Sequence, residues 1–272
     1  MDSILLEKLH EEELGILCDV DAYCRQYGIQ YSLYAGTMLG AVRHGGFIPW
    51  DDDIDICMTR CEYMKFCSMI QRIPMPGYYF QNFEVDDTCA VCHGKIRKNG
   101  TILLMAGEDE RGHHGIWIDI FPLDKVPKDD SLAEEVLKRG KTTVFLTRAL
   151  VTRRSDNLKK KSIRFLINLL PFQLRRKRLI RALKWIEEHD AKVTKDYDWV
   201  SMSSLGQMKI RFPESMIEGY VEMKFENQTF MAFRNYEDML VTQYGDYMRL
   251  PPLEQQVCKH NPVVLELSCK NG

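Results

Sequence analysis

The chain has 272 residues, 45% of them apolar, and a net charge of −2 from 37 Lys or Arg against 39 Asp or Glu. It is long enough to bury a sizeable core in one or two domains. No apolar run approaches the 18 or so residues that a bilayer span requires. Nine cysteines without the rhythm of a disulfide scaffold fit a reducing compartment, and the N-terminus lacks the basic-then-apolar pattern of a signal peptide. A cytoplasmic protein is expected.

Residues 3–27 carry Leu6, Leu9, Leu14, Leu17, Val20 and Tyr23 among many charges, the spacing of an amphipathic helix that Gly28 stops. This helix is expected to pack on a sheet and to carry no chemistry. Residues 29–34 then read as a strand, followed by Gly36-Thr37 and the helical turn Met38 to Val42. A strand that ends in Gly-Thr at a helix start offers backbone N–H groups and a hydroxyl to a phosphate, so Gly36 and Thr37 are candidate binding residues. Arg43 suits either a phosphate or an ion pair with a nearby aspartate.

Pro49-Trp50-Asp51-Asp52-Asp53-Ile54-Asp55-Ile56 comes next. On a strand of period two, Asp53 and Asp55 share one face and Ile54 and Ile56 the other. Like charges on one face repel unless a cation joins them, and Mg²⁺ or Mn²⁺, held by carboxylates and substrate phosphates, meets that need. The alternative is an acidic surface turn. A phosphate cradle followed about 16 residues later by metal carboxylates describes a phosphoryl-transfer site.

Residues 60–73 read as a helix ended by Pro74 and Pro76, and 78–83 and 90–96 as strands around the acidic turn 84–87, with 101–105 continuing the sheet. Lys95 is a candidate phosphate ligand or a solvated charge. Cys89-Ala-Val-Cys92-His93 has haem-attachment spacing and half of a zinc site, but export and a second ligand pair are both missing, so its thiols read as structural. In Gly115-Ile-Trp-Ile-Asp119-Ile-Phe-Pro122, an aspartate at the centre of a buried apolar strand is costly unless it meets a cation or a donor. Asp119 is therefore the third carboxylate, and Asp51 a further candidate ligand; Asp124 reads as a loop or cap residue.

Residues 131–200 read as helices. Within them, 153–184 hold twelve Lys or Arg against one Asp, a local charge of +11 that leaves −13 on the rest of the chain. Two basic clusters around a short apolar stretch suit an anionic membrane surface, with nucleic-acid contact or a solvated helical face as alternatives. The tail reads as a hairpin over 225–233 with its turn near Asn227, then a helix over 236–244.

The run from Ala35 to Ile56 closely resembles the signature of the LicD family, the phosphorylcholine transferases of the nucleotidyltransferase superfamily that also includes the fukutin-type proteins. Residues 115–124 and 244–252 agree with it. The resemblance implies an α+β fold: a nucleotidyltransferase-type mixed sheet flanked by helices, with a catalytic core over 1–130, a basic helical insertion over 131–205 and a completing hairpin and helix over 206–272. It implies Asp53, Asp55 and Asp119 as catalytic residues, with Asp119 completing the metal site and accepting a proton. It further implies Mg²⁺-dependent transfer of phosphocholine, or a related phospho-alcohol, from CDP-choline or another CDP-alcohol to a sugar hydroxyl of a cell-surface glycan precursor. A lipid-linked acceptor would bring 153–184 to the inner membrane face, and no nucleic-acid partner is expected. Two alternatives stay open: a nucleotidyltransferase that leaves NMP on a small molecule, protein or RNA, and a non-catalytic membrane-surface binding protein. The family's tail carries a basic residue and two histidines after its double proline; here only Lys259 and His260 follow, leaving His260 as the candidate donor contact.

Overall fold

The computed structural model describes residues 3–89, 91–105, 108, 111–151, 171–202, 210–258 and 262–267. Helix α1 (Ser3–Gln26) buries Leu6, Leu9, Ile16, Leu17, Val20 and Tyr23. Gly28, at φ +61°, turns the chain so that the Ile29 N–H returns to the Cys24 carbonyl. The expected strand over 29–34 shrinks to β1 (Ser32–Leu33). Its first residues are diverted, because the Ile29 amide is spent on the helix end and the Gln30 amide on the Glu62 carboxylate.

Helix α2 (Ala35–His44) leads to β2 (Asp55–Thr59), and the Thr59 hydroxyl accepts from the Glu62 N–H to cap α3 (Arg60–Arg72). Strands β3 (Tyr78–Gln81), β4 (Gly94–Lys98), β5 (Ile102–Met105) and β6 (Trp117–Pro127) follow. β3 stops short of Phe83 because the Asn82 side chain accepts from the Glu84 and Val85 amides and turns the chain. Helices α4 (Asp130–Val151) and α5 (Phe172–Lys192) form an antiparallel arm, and β7 (Tyr197–Val200) returns to the sheet with β8 (Phe212–Pro213). A hairpin of β9 (Tyr220–Phe225) and β10 (Gln228–Phe233), helix α6 (Tyr236–Tyr244) and β11 (Pro262–Glu266) complete the described chain.

The main sheet runs β1-β2-β6-β4-β3, with β7 also on β6 and β8 on β7. β2 and β6 are parallel; the other pairs are antiparallel. The protein is thus α+β, a mixed sheet flanked by six helices among the described residues. One sheet face is isoleucine: Ile56, Ile96, Ile118 and Ile120 are all fully buried in the cluster that receives α1 and α3. The opposite face is packed by Tyr34, Cys57, Leu123, Trp199, Phe212 and Phe233.

Three expectations are corrected. Residues 131–200 are not all helical, since β7 pairs with the second half of β6. Residues 101–105 do not extend the main sheet; β5 pairs with β11 in a separate ribbon. Asp124 is neither loop nor cap: it lies in β6, fully buried, and accepts from Arg60 Nε at 2.7 Å across the α3 interface.

Candidate functional site

The parallel register of β2 and β6 sets Asp55 directly beside Asp119, and the antiparallel register of β6, β4 and β3 continues the line through Lys95 to Gln81. Cross-strand partners share a face. Four polar residues therefore form a row across four strands, on the face opposite the isoleucines. A one-residue register slip of any of these strands would turn its own member of the row toward the core.

The corner before α2 is tied to this row. The Tyr34 N–H donates to the Asp55 carbonyl at 3.0 Å and the Asp55 N–H to the Thr37 hydroxyl at 2.8 Å, which clamps the helix start onto the first residue of β2. Between them Ala35 sits at φ +46°, a left-handed conformation that non-glycine residues adopt at a cost. At Gly36 a Cβ would collide with the Asp51 carboxylate, so the missing side chain is what admits that acid to the first turn of the helix.

Asp119 is 8% exposed and heavily engaged. Its Oδ1 meets Lys95 Nζ at 2.6 Å and His93 Nε2 at 2.9 Å, and its Oδ2 accepts from the Trp117 indole at 3.2 Å. Burial alone would raise this carboxyl, but Lys95 and His93 outweigh it and hold it well below the usual carboxylate range. Asp55 goes the other way: burial first, then the charges of Asp53 and Asp119, push it well up. Two neighbouring carboxylates thus have opposed protonation preferences. Lys95 also lies 4.3 Å from the Trp117 ring centre.

Asp51, Asp52 and Asp53 each bring a carboxylate oxygen within 4.8 Å of the others, and this is the cluster among the described residues able to hold a metal ion. A set of hard oxygen donors suits Mg²⁺ or Mn²⁺. Of the four aspartates expected as ligands, Asp51 and Asp53 belong to this cluster, while Asp55 and Asp119 lie side by side in the row. Cys89 and Cys92 join no metal cluster among the described residues, and Cys89 donates to the Val91 carbonyl instead.

Arg43 forms no ion pair with an aspartate among the described residues. Its Nη1 donates to the Tyr247 carbonyl at 3.0 Å and lies 3.4 Å from the Arg249 carbonyl, so it holds the segment after α6 against α2. His260 and residues 153–170 lie outside the described residues. Asp52 of the acidic cluster and His93, the partner of Asp119, were not among the residues expected from the sequence. A signal for His93 existed, because it precedes Lys95 by two residues and strand alternation turns both to one face.

This arrangement sits inside the stretch matched by a family model described as LicD/FKTN/FKRP, nucleotidyltransferase domain, which covers residues 28–150. The chain belongs to the LicD family and is a phosphotransferase. Over 262 residues it is 30% identical to a Haemophilus influenzae protein named lipopolysaccharide cholinephosphotransferase LicD, covering 93% of this chain and 96% of that relative. Shorter likenesses reach uncharacterized proteins of Rickettsia typhi, 31% identical over 74 residues, and Rickettsia prowazekii, 33% over 63 residues. These cover 27% and 23% of this chain and 24% of each relative.

Proposed function

We propose that this protein transfers phosphocholine, or a related phospho-alcohol, from a CDP-linked donor to a sugar hydroxyl of a cell-surface glycan precursor in a reaction that needs Mg²⁺. The observation that carries the reading is the row Asp55, Asp119, Lys95, set beside the Gly36-Thr37 helix start and the Asp51–Asp53 cluster. The name of the Haemophilus relative supports choline as the alcohol and a lipopolysaccharide-type acceptor.

In this account Asp51 and Asp53, with Asp55 beside them, hold the cation, which supplies positive charge to the donor's diphosphate when bound. Gly36 and Thr37 orient the phosphates at the start of α2. Lys95 meets the phosphoryl group being transferred, and by leaving Asp119 it opens a carboxylate oxygen to the acceptor hydroxyl. The hydroxyl oxygen attacks the phosphorus that bears choline, the bond from that phosphorus to CMP breaks, and the hydroxyl proton passes to the freed carboxylate. CMP leaves.

The basic arm supports a peripheral contact with anionic lipid. Lys138, Arg139, Arg181 and Trp185 wall a hollow of about 550 Å³ between α4 and α5. Cations beside an indole suit the headgroup region of a bilayer. Among the described residues no helix is long and apolar enough to cross a membrane.

A mass-spectrometric screen of CDP-choline, CDP-ethanolamine, CDP-ribitol and CDP-glycerol against candidate sugars tests the proposal. The expected products are CMP and an acceptor heavier by the phospho-alcohol, both lost in EDTA. Pyrophosphate released from CTP with the nucleotide on the acceptor would favour the nucleotidyltransferase reading instead. Absence of turnover together with absence of metal-dependent heat on mixing with CDP-choline would favour the non-catalytic one.

A further inference from the structure

Helix α1 precedes the stretch that the family model matches, yet its His10 reaches the acidic loop, and Glu13, three residues on, lies on the same side of the helix. His10 Nε2 lies 2.7 Å from the Asp51 carbonyl, with its ring stacked on Phe47. One turn later Glu13 occupies a core position in the stripe Leu6, Leu9, Glu13, Ile16 or Leu17, and Val20, where period and neighbours both call for an apolar residue. Glu13 is 1% exposed, and its Oε2 has no hydrogen-bond partner.

Such a group is costly to keep. Burial of a carboxyl without compensation costs on the order of several kcal/mol, and here the nearest charges make matters worse. Burial first, and then Asp53, Asp52, Asp51 and Asp55 in turn, push its pKa well up. No ion pair to Glu13 exists among the described residues. Protonation of Glu13 relieves the crowding without a ligand, and a divalent cation among the acids relieves it with Glu13 charged.

We infer that Glu13 is a further carboxylate of the cation site, a positioning residue on α1 that anchors the hydration shell of the ion held by Asp51 and Asp53. The inference rests on the metal-dependent reading above. Mg²⁺ gives up its waters reluctantly, so a buried acceptor behind its carboxylate ligands has a defined task. His10, one turn earlier, fixes the loop from the same helix. Partners of this outer kind alter metal affinity by about 10–100-fold when removed.

The test uses Mn²⁺ alone as the probe on the full chain, without donor or acceptor, read by calorimetry and by the electron paramagnetic signal of free Mn²⁺. Wild type is expected to bind Mn²⁺, and Glu13→Gln to bind it about 10–100-fold more weakly. The thermal midpoint without metal should stay level or rise in this variant, because the substitution removes a buried acid. Glu13→Leu, which restores the apolar stripe, serves as the second variant where Glu13→Gln folds poorly, and should show the same weak binding. Equal Mn²⁺ affinity in wild type and either folded variant would overturn the inference while leaving the transferase reading intact. A wild-type chain that binds no Mn²⁺ would overturn the cation site itself, and the role of Glu13 with it.

Discussion

The sheet and the α4–α5 arm both carry many charges, and they use them in opposite ways. In the sheet several of the ionic groups are buried: Asp119, Lys95, Arg97 and Asp124 are each under 9% exposed and each has named partners. In the arm Lys138, Arg139 and Arg181 lie at the surface, and the Arg139–Glu135 pair is one helical turn long and open to solvent. Charge count therefore points to the arm and charge burial to the sheet. Burial is the more informative sign of chemistry, because a buried charge must be held by something, whereas an exposed one costs little.

That contrast is open to attack at several points. The largest expected effect lies in the sheet's acidic edge: Asp53→Asn should lower turnover at least about 10²–10³-fold, as loss of a charged group at a phosphoryl-transfer site does. Steady-state kinetics read against an unchanged circular dichroism spectrum would check it. Next comes Arg60→Ala, which strands the fully buried Asp124 carboxylate and should destabilise the fold by about 3–5 kcal/mol in urea unfolding. A cost below about 1 kcal/mol would mean that buried pairing matters less than supposed.

The arm has a buried acid of its own, which sharpens the comparison. Asp190 accepts from the Lys125 N–H at 2.7 Å, and burial, then Asp124, raise its pKa to about 6. Its folded pKa exceeds its unfolded one, so the folded state keeps a proton that the unfolded state has lost between about pH 4 and pH 6. This contribution is present below pH 4 and disappears as pH rises through 6. Asp190→Asn keeps the acceptor and removes the titration, so it should gain about 1–3 kcal/mol over wild type between pH 4 and pH 7. The smallest effect belongs to the arm's surface: Arg181→Ala should weaken sedimentation with anionic vesicles by about fivefold, near 1 kcal/mol per charge, and change unfolding by less than about 0.5 kcal/mol.

Much of the site was legible because it is local. The alternation around Asp55, the Gly-Thr corner and the isolated Asp119 each lie in a short stretch whose period sets the face. The turn and second strand of the C-terminal hairpin were legible for the same reason, with Glu226 at φ +55° in the turn, but its first strand starts at Tyr220 and not at 225. What escaped depends on separation along the chain. Arg60 and Asp124 meet from 64 positions apart, and β7 is a four-residue strand hidden in a stretch with helical composition. Glu13 was overlooked because α1 is rich in exposed acids: Leu14 was read into the apolar stripe, while the helix in fact turns Glu13 to the core and leaves Leu14 partly buried.

The most direct measurement is the rate of CMP formation from CDP-choline and a glycan acceptor by wild type and by Asp55→Asn at saturating Mg²⁺, with both proteins verified as folded. Asp55 ends the row beside Asp119 and adjoins the Asp51–Asp53 cluster in sequence, so wild type should release CMP as the acceptor gains phosphocholine, and the variant should fall to background. An Asp55→Asn protein that transfers phosphocholine at the wild-type rate would contradict the account.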